Sequence, residues 1–245
     1  MRLKESRVTE LRVAAIQSSF IPWRGYFDFI ANVDLFVFLD DVQYTVRDWR
    51  SRNKIKTQRG VEWLTVPVIH DHRSQLVTET RICHDVSWEK KHRGAWSANY
   101  RAAQYFGEVM QLLGNLEKTQ DSTISELNIR LTRKICDYLE IKTPMILSSD
   151  LSLRGIKTER LIDLLKKLNA TTYLSGPSAD AYLDKNLFRQ NGFRLEYKSY
   201  DYAPYPQLWG DFIGDVTVLD LIANCGPQAK DYIRSRIPDR VVIER

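Results

Sequence analysis

The chain has 245 residues, 43% hydrophobic and 27% charged, which supplies one large core or two small ones in a soluble protein. A formal net charge of +5 suits an anionic small molecule, a nucleotide-sugar or a nucleic acid, with a merely solvated basic face as the plainer reading. Three scattered cysteines (Cys83, Cys136, Cys225) exclude a disulfide framework, no apolar run nears the ~18 residues of a membrane span, and residues 1–10 lack an apolar signal core, so the expected location is cytoplasmic.

In chain order, residues 13–16 form a short apolar, β-leaning run, broken by Gln17, Ser18 and Ser19 and then by Pro22, Trp23, Arg24 and Gly25. A helical pattern follows (Tyr26, Phe27, Ile30, Val33), then a second buried-strand run over residues 35–39. That run stops at Asp40 and Asp41, ahead of a stretch crowded with Arg47, Arg50, Arg52, Lys54 and Lys56. Strand, helix and strand with polar residues after each strand is the plan of a parallel α/β sheet, whose ligands sit beyond the carboxyl ends of the strands. Residues 17–24 and 40–56 are therefore expected at that edge. Residues 54–56 and 63–68 read as paired strands around the turn at Gly60, and residues 76–83 as a further edge strand. Helical patterns then cover residues 88–100, 102–113 and 123–140. The last carries Ile124, Leu127, Leu131, Ile135 and Leu139 on one stripe. A second unit repeats the plan: a strand at 144–147, a helix at 157–168 and a strand at 171–174 ending in Ser175, Gly176 and Pro177. Residues 187–191 suit a helix, 193–197 a strand, 200–209 a stiff aromatic and proline-rich loop, and 218–225 and 227–236 two last helices. The expected architecture is α/β, a Rossmann-like parallel sheet in a single domain over residues 1–245, with a helical middle segment at about 87–141.

Several groupings of residues could carry chemistry. Asp40 and Asp41, with Gln43, stand at a strand end, where two carboxylates can hold a divalent cation or act as a base; capping and ion pairing with Arg47 or Arg52 is the plainer role. Guanidinium forks suit phosphate and carboxylate recognition. His92 lies one helical turn after Trp88, where a helix-packing role competes with acid/base work. Tyr200, Tyr202, Tyr205, Gln207 and Trp209 combine aromatic planes with an amide, as the walls of sugar or base sites do, although a rigid loop against the core has the same composition. Backbone N–H groups around Ser175, Gly176, Pro177 and Ser178 could meet an anion at a helix start. No HExxH, paired CxxC, GxSxG, GxGxxG or GxxxxGK[ST] occurs, so no metal ligands and no cofactor are assigned.

Together the motifs resemble one family. Residues 17–26 are similar to a QPxYxPWxGY opening. Residues 39–44, Arg47, residues 52–56 and residues 63–67 are similar to a central signature. Trp88, His92, Tyr100, residues 173–176, 182–184, 202–207 and 219–226 agree in type and spacing. This is the pattern of the WbqC-like proteins of bacteria and archaea. The resemblance implies a cytoplasmic protein of surface-polysaccharide (O-antigen or capsule) gene clusters. It further implies a transferase, with glycine or other aminoacyl transfer to an activated amino sugar among the suggested reactions. Many relatives have His-Gln-Pro where this chain has Ile16, Gln17 and Ser18.

The leading expectation is an enzyme that modifies a nucleotide-linked or otherwise activated sugar. Arg47, Arg52 and Lys54 would hold its anionic group, with Asp40 or Asp41 as base or metal ligand and His92 as a second acid or base. Gln17, Gln43, Asn53 and Gln207 would orient the substrate beside Trp23 and Tyr205. A nucleotidyltransferase of the HxGH type is a second expectation, by fold analogy alone, because the corresponding turn offers Trp23, Arg24 and Gly25 and no histidine. A non-catalytic binding or scaffold protein is the third. Its nucleic-acid form is disfavoured by the single short basic stretch and the absence of an RNA-binding module signature.

Overall fold

The computed structural model describes residues 10–114, 116 and 121–244. Its frame is a six-stranded sheet in the order β5-β2-β1-β6-β7-β8. The strands are β1 (Arg12–Ile16), β2 (Leu35–Phe38), β5 (Met145–Leu147), β6 (Thr172–Ser175), β7 (Arg194–Tyr197) and β8 (Arg240–Ile243), of which only β8 runs antiparallel to its neighbour. A separate antiparallel hairpin joins β3 (Arg52–Thr57) to β4 (Gly60–Thr65). The fold is thus mixed α/β and Rossmann-like, as the alternating pattern predicts.

Both faces of the sheet are covered, which is why its strands read as continuous apolar runs. Strand pleating sends Ala14, Phe36 and Phe38 into one core cluster and Val13, Ala15 and Val37 into the other. Helix α1 (Arg24–Ala31), the middle helices α2 (Trp88–Tyr100), α3 (Phe106–Leu113) and α4 (Ile124–Tyr138), and α7 (Val218–Cys225) cover the first face. Helices α5 (Lys157–Lys167) and α6 (Lys185–Gln190) cover the second. The α4 stripe is fully buried, and its start is fixed by a capping box in which Thr123 accepts from the Glu126 N–H and the Glu126 carboxylate accepts from the Thr123 N–H.

Local hydrogen bonding alters two expected elements. Residues 76–83 form no strand: the Glu79 carboxylate accepts from the Leu76 N–H at 2.8 Å and folds residues 77–79 into a single 3₁₀ turn. The last expected helix is likewise only a 3₁₀ stretch over Gly226–Asp231. Gly226 ends α7 at φ 52°, under the Tyr105 ring, where a Cβ would lie 2.4 Å from a ring carbon. Strand β8, short and charged at its ends, carries too little pattern to be foreseen.

The position of β1 sets up the site. Its chain continues through α1 to β2 on one side, while β6, reached through α5, lies on the other. The strand order therefore reverses at β1 and β6, and the crevice at their carboxyl ends is the place such sheets bind ligands.

Candidate functional site

Three loops meet above that crevice and are tied to one another. The Asn53 side-chain amide donates to the carbonyls of Phe20 and Ile21, at 3.1 and 2.7 Å, clamping the loop after β1 onto the hairpin. Ile21 is held there at φ 41°, a costly conformation for a β-branched residue. The Phe20 N–H donates to the Trp49 carbonyl, the Val218 N–H to that of Pro22 and the Thr217 N–H to that of Lys54. From α4, Asn128 donates to the Arg50 carbonyl at 2.8 Å.

Two cavities open between these loops and meet at Ile16 and Arg50. The smaller, about 280 Å³, is lined by Pro22, Trp23, Tyr26, Trp49 and Asn53, with Asp215 as its carboxylate. The larger, about 540 Å³, lies over the ends of β1 and β6, where Gln17, Ser175, Gly176 and Ser178 face the first turn of α5 and Tyr200. Both volumes fall within or near the ~300–1,000 Å³ usual for small-molecule sites.

Arg50 stands out for what it lacks. Its side chain is 12% exposed, its Nε and Nη1 have no hydrogen-bond acceptor, and its nearest carboxylate, Asp48, is 3.9 Å away. Burial lowers its pKa against the pull of Asp48. A guanidinium fork left unsatisfied where two cavities join is a ready receptor for an anion.

The aromatic wall is braced from behind. The Trp23 indole folds over Gly25, so closely that a Cβ there would lie 2.3 Å from it, and meets the rings of Tyr200 and Tyr202 at 5.3 and 5.6 Å. Tyr202 donates to Asp28 at 2.8 Å, and Asp28 is paired with buried Lys198, also at 2.8 Å. Arg24 lies 4.8 Å beneath the Tyr202 ring.

Of the residues expected from sequence, Gln17, Trp23 and Asn53 line the cavities. The acidic pair serves the sheet instead. Asp40, 2% exposed, accepts from the Ser148 hydroxyl and from the N–H and hydroxyl of Ser149, tying the ends of β2 and β5 together, and it lines neither cavity. Asp41 accepts from Ser148 and is paired with Arg160, not with Arg47 or Arg52. Burial raises the Asp41 pKa, but these hydrogen bonds and the Arg160 charge outweigh it and leave it below the usual carboxylate range. Among the described residues, no group of three or more His, Cys, Asp or Glu side chains is placed to hold a metal ion.

Three further expected residues are used inside the fold. His92, 2% exposed, lies between the rings of Phe20 and Trp88 with its Nε2 3.0 Å from the Thr65 carbonyl. Burial pushes its pKa down to about 4, so the imidazole is neutral at pH 7. Tyr205 and Gln207 donate to buried Asp220, which Tyr100 also reaches, and Gln207 accepts from Lys56 at 2.8 Å. Gln43 is exposed and donates to the Arg73 carbonyl.

The expected cations lie outside the crevice. Lys54 is paired with Asp215 at 2.6 Å, the Arg52 guanidinium sits 4.3 Å over the Trp63 ring, and Arg47 is exposed and lines neither cavity. The cations that do line the crevice, Arg50, Lys157 and Arg160, were not singled out by sequence reasoning. Applying the strand-end rule to β5 as well as to β1 and β2 would have pointed to the α5 pair. Nothing local separates Arg50 from Arg47 or Arg52.

A model of the WbqC-like protein family matches residues 17–232. The uncharacterized protein Rv1507c of Mycobacterium tuberculosis is 46% identical over 226 residues, covering 91% of this chain and 97% of that one. No solved structure matches. Among the described residues, no helix is long and apolar enough to cross a membrane.

Proposed function

This chain belongs to the WbqC-like protein family, and from that premise we propose that it is a transferase of surface-polysaccharide assembly acting on an activated, anionic sugar. The specific reaction in this reading is transfer of an aminoacyl group, such as glycine, to an amino sugar. The observation that carries it is the junction of two cavities at the strand-order reversal, with an unsatisfied guanidinium between them.

The roles follow from position. Arg50 receives the anionic group, Trp23 and Tyr200 flank the sugar ring, and Gln17, Ser175 and Ser178 hydrogen-bond its hydroxyls. Asp41 is a positioning residue that fixes Arg160. Asp215 lines the smaller cavity and takes the base role expected of the acidic pair. In the transfer, the amine nitrogen bonds to the acyl carbon of an ester or thioester donor. The bond from that carbon to the donor's oxygen or sulfur breaks, and the amine proton passes to Asp215, which hands it to the departing alcohol or thiol. Mass spectrometry of mixtures of UDP-amino sugars with glycyl donors tests the reading. A glycylated sugar should form with the native chain and not with Asp215→Asn. Failure of every activated sugar to bind or turn over removes the proposal.

One observation favours a second reading, a non-catalytic binding protein. Trp49 and Trp63, each 40% exposed, lie with ring centroids 5.2 Å apart and planes tilted by 40°, with Arg52 and Lys54 beside them. Such a ledge can stack unpaired bases. Tight binding of single-stranded RNA that weakens steeply with salt, without any sugar turnover, would favour it.

A further inference from the structure

The larger cavity has a charge pattern that the transferase reading does not by itself specify. Its lining contains three cations, Arg50, Lys157 and Arg160, and, among the described residues, no carboxylate. Asp41 compensates Arg160 from outside the lining. Lys157 is exposed and makes no ion pair among the described residues, and Arg50 has the two unsatisfied donors already described. In the wall of this cavity Lys157 is therefore uncompensated and Arg50 only loosely compensated, by Asp48 at 3.9 Å.

The same wall holds the start of α5, an 11-residue helix. Lys157, Thr158, Arg160 and Leu161 of its first turn line the cavity, and no side chain caps its N-terminal N–H groups. The Thr158 hydroxyl is already occupied, accepting from the Asp184 N–H at 3.0 Å. Helix starts with free N–H groups favour anions, through both the donors and the helix dipole. A carboxylate would match only one of the two cations, Arg50 and Lys157; a diphosphate matches both and has oxygens enough for a guanidinium, an ammonium and backbone N–H groups.

We infer that Arg50, Lys157 and the first turn of α5 form a diphosphate-binding seat, so that the activated sugar is of the nucleoside-diphosphate class. This rests on the reading of the crevice as a transferase site. Because Arg50 also borders the smaller cavity, a diphosphate held there leads one of its substituents toward Trp23 and Asp215 and the other over the ends of β1 and β6.

The test is calorimetric titration of the full chain with inorganic pyrophosphate, inorganic phosphate and UDP-N-acetylglucosamine, repeated for Arg50→Met and Lys157→Ala. Lys157 is exposed, so its variant keeps the fold whatever the first one does. Pyrophosphate should bind the native chain at least tenfold more tightly than phosphate and compete with the nucleotide-sugar. Each variant should weaken pyrophosphate binding at least tenfold. Nucleotide-sugar binding that pyrophosphate does not displace and neither variant weakens overturns the seat while leaving the transferase reading in place. Pyrophosphate binding that needs Arg50, with no affinity for any activated sugar, supports the seat and removes the transferase reading. No binding of pyrophosphate overturns the seat, and if in addition no activated sugar binds, the transferase reading falls with it.

Discussion

Replacing Arg50 by methionine should stabilise the unliganded protein. In the native chain two guanidinium N–H groups are buried without acceptors, and each costs about 1 kcal/mol or more relative to water. Against this stands the pairing with Asp48, 3.9 Å away with that carboxylate 32% exposed, worth at most about 1 kcal/mol. Methionine keeps most of the aliphatic stem and removes the charge. The expected net gain is about 1–2 kcal/mol, or ~2–8 °C in the unfolding midpoint of a chain this size. Thermal and guanidinium unfolding of the apo proteins measures it. The same substitution should abolish stabilisation by saturating pyrophosphate, so that the order of the two midpoints inverts with ligand present. A variant that loses more than about 1 kcal/mol while still gaining stability from pyrophosphate would refute the argument, because Arg50 would then be a packing residue.

Three other outcomes follow from the same geometry. The folded pKa of His92 is depressed, so the unfolded chain takes up a proton between about pH 6.5 and 4 that the folded chain refuses. Stability should fall by ~3 kcal/mol as pH drops through that window, and His92→Gln should flatten the profile; superimposable native and variant curves would show that the ring is solvated. Asp220→Ala strands the donors of Tyr100, Tyr205 and Gln207 and should cost about 3 kcal/mol or more in urea unfolding, with Asp220→Asn milder; equal losses would mean that a neutral amide cannot stand in for the carboxylate. Gly25→Ala pushes a methyl group into the Trp23 indole and should swing it out of the aromatic wall. Expected readouts are a changed tryptophan fluorescence maximum and weaker nucleotide-sugar binding with little loss of stability; unchanged binding would show that Trp23 is not part of the pocket.

The sequence by itself determined the layout. The apolar runs at β1 and β2, the stripe of α4 and the repeated strand-helix-strand order are local periodicities, and burial on both sheet faces makes them strong. They also placed residues 17–24 and 40–56 at the carboxyl edge, because chain direction in a parallel sheet follows from the connections. Only the tertiary structure decided which polar residue in those loops is free to act. Lys54 is neutralised by Asp215, 161 positions away, and Asp41 by Arg160, 119 away, while the Lys56 ammonium donates to the Gln207 amide oxygen, 151 away. Arg50, alike in composition and neighbourhood, finds no such acceptor and is left facing the cavities. Whether a buried charge is satisfied depends on side chains brought together by folding, and no local pattern in the chain records those distances.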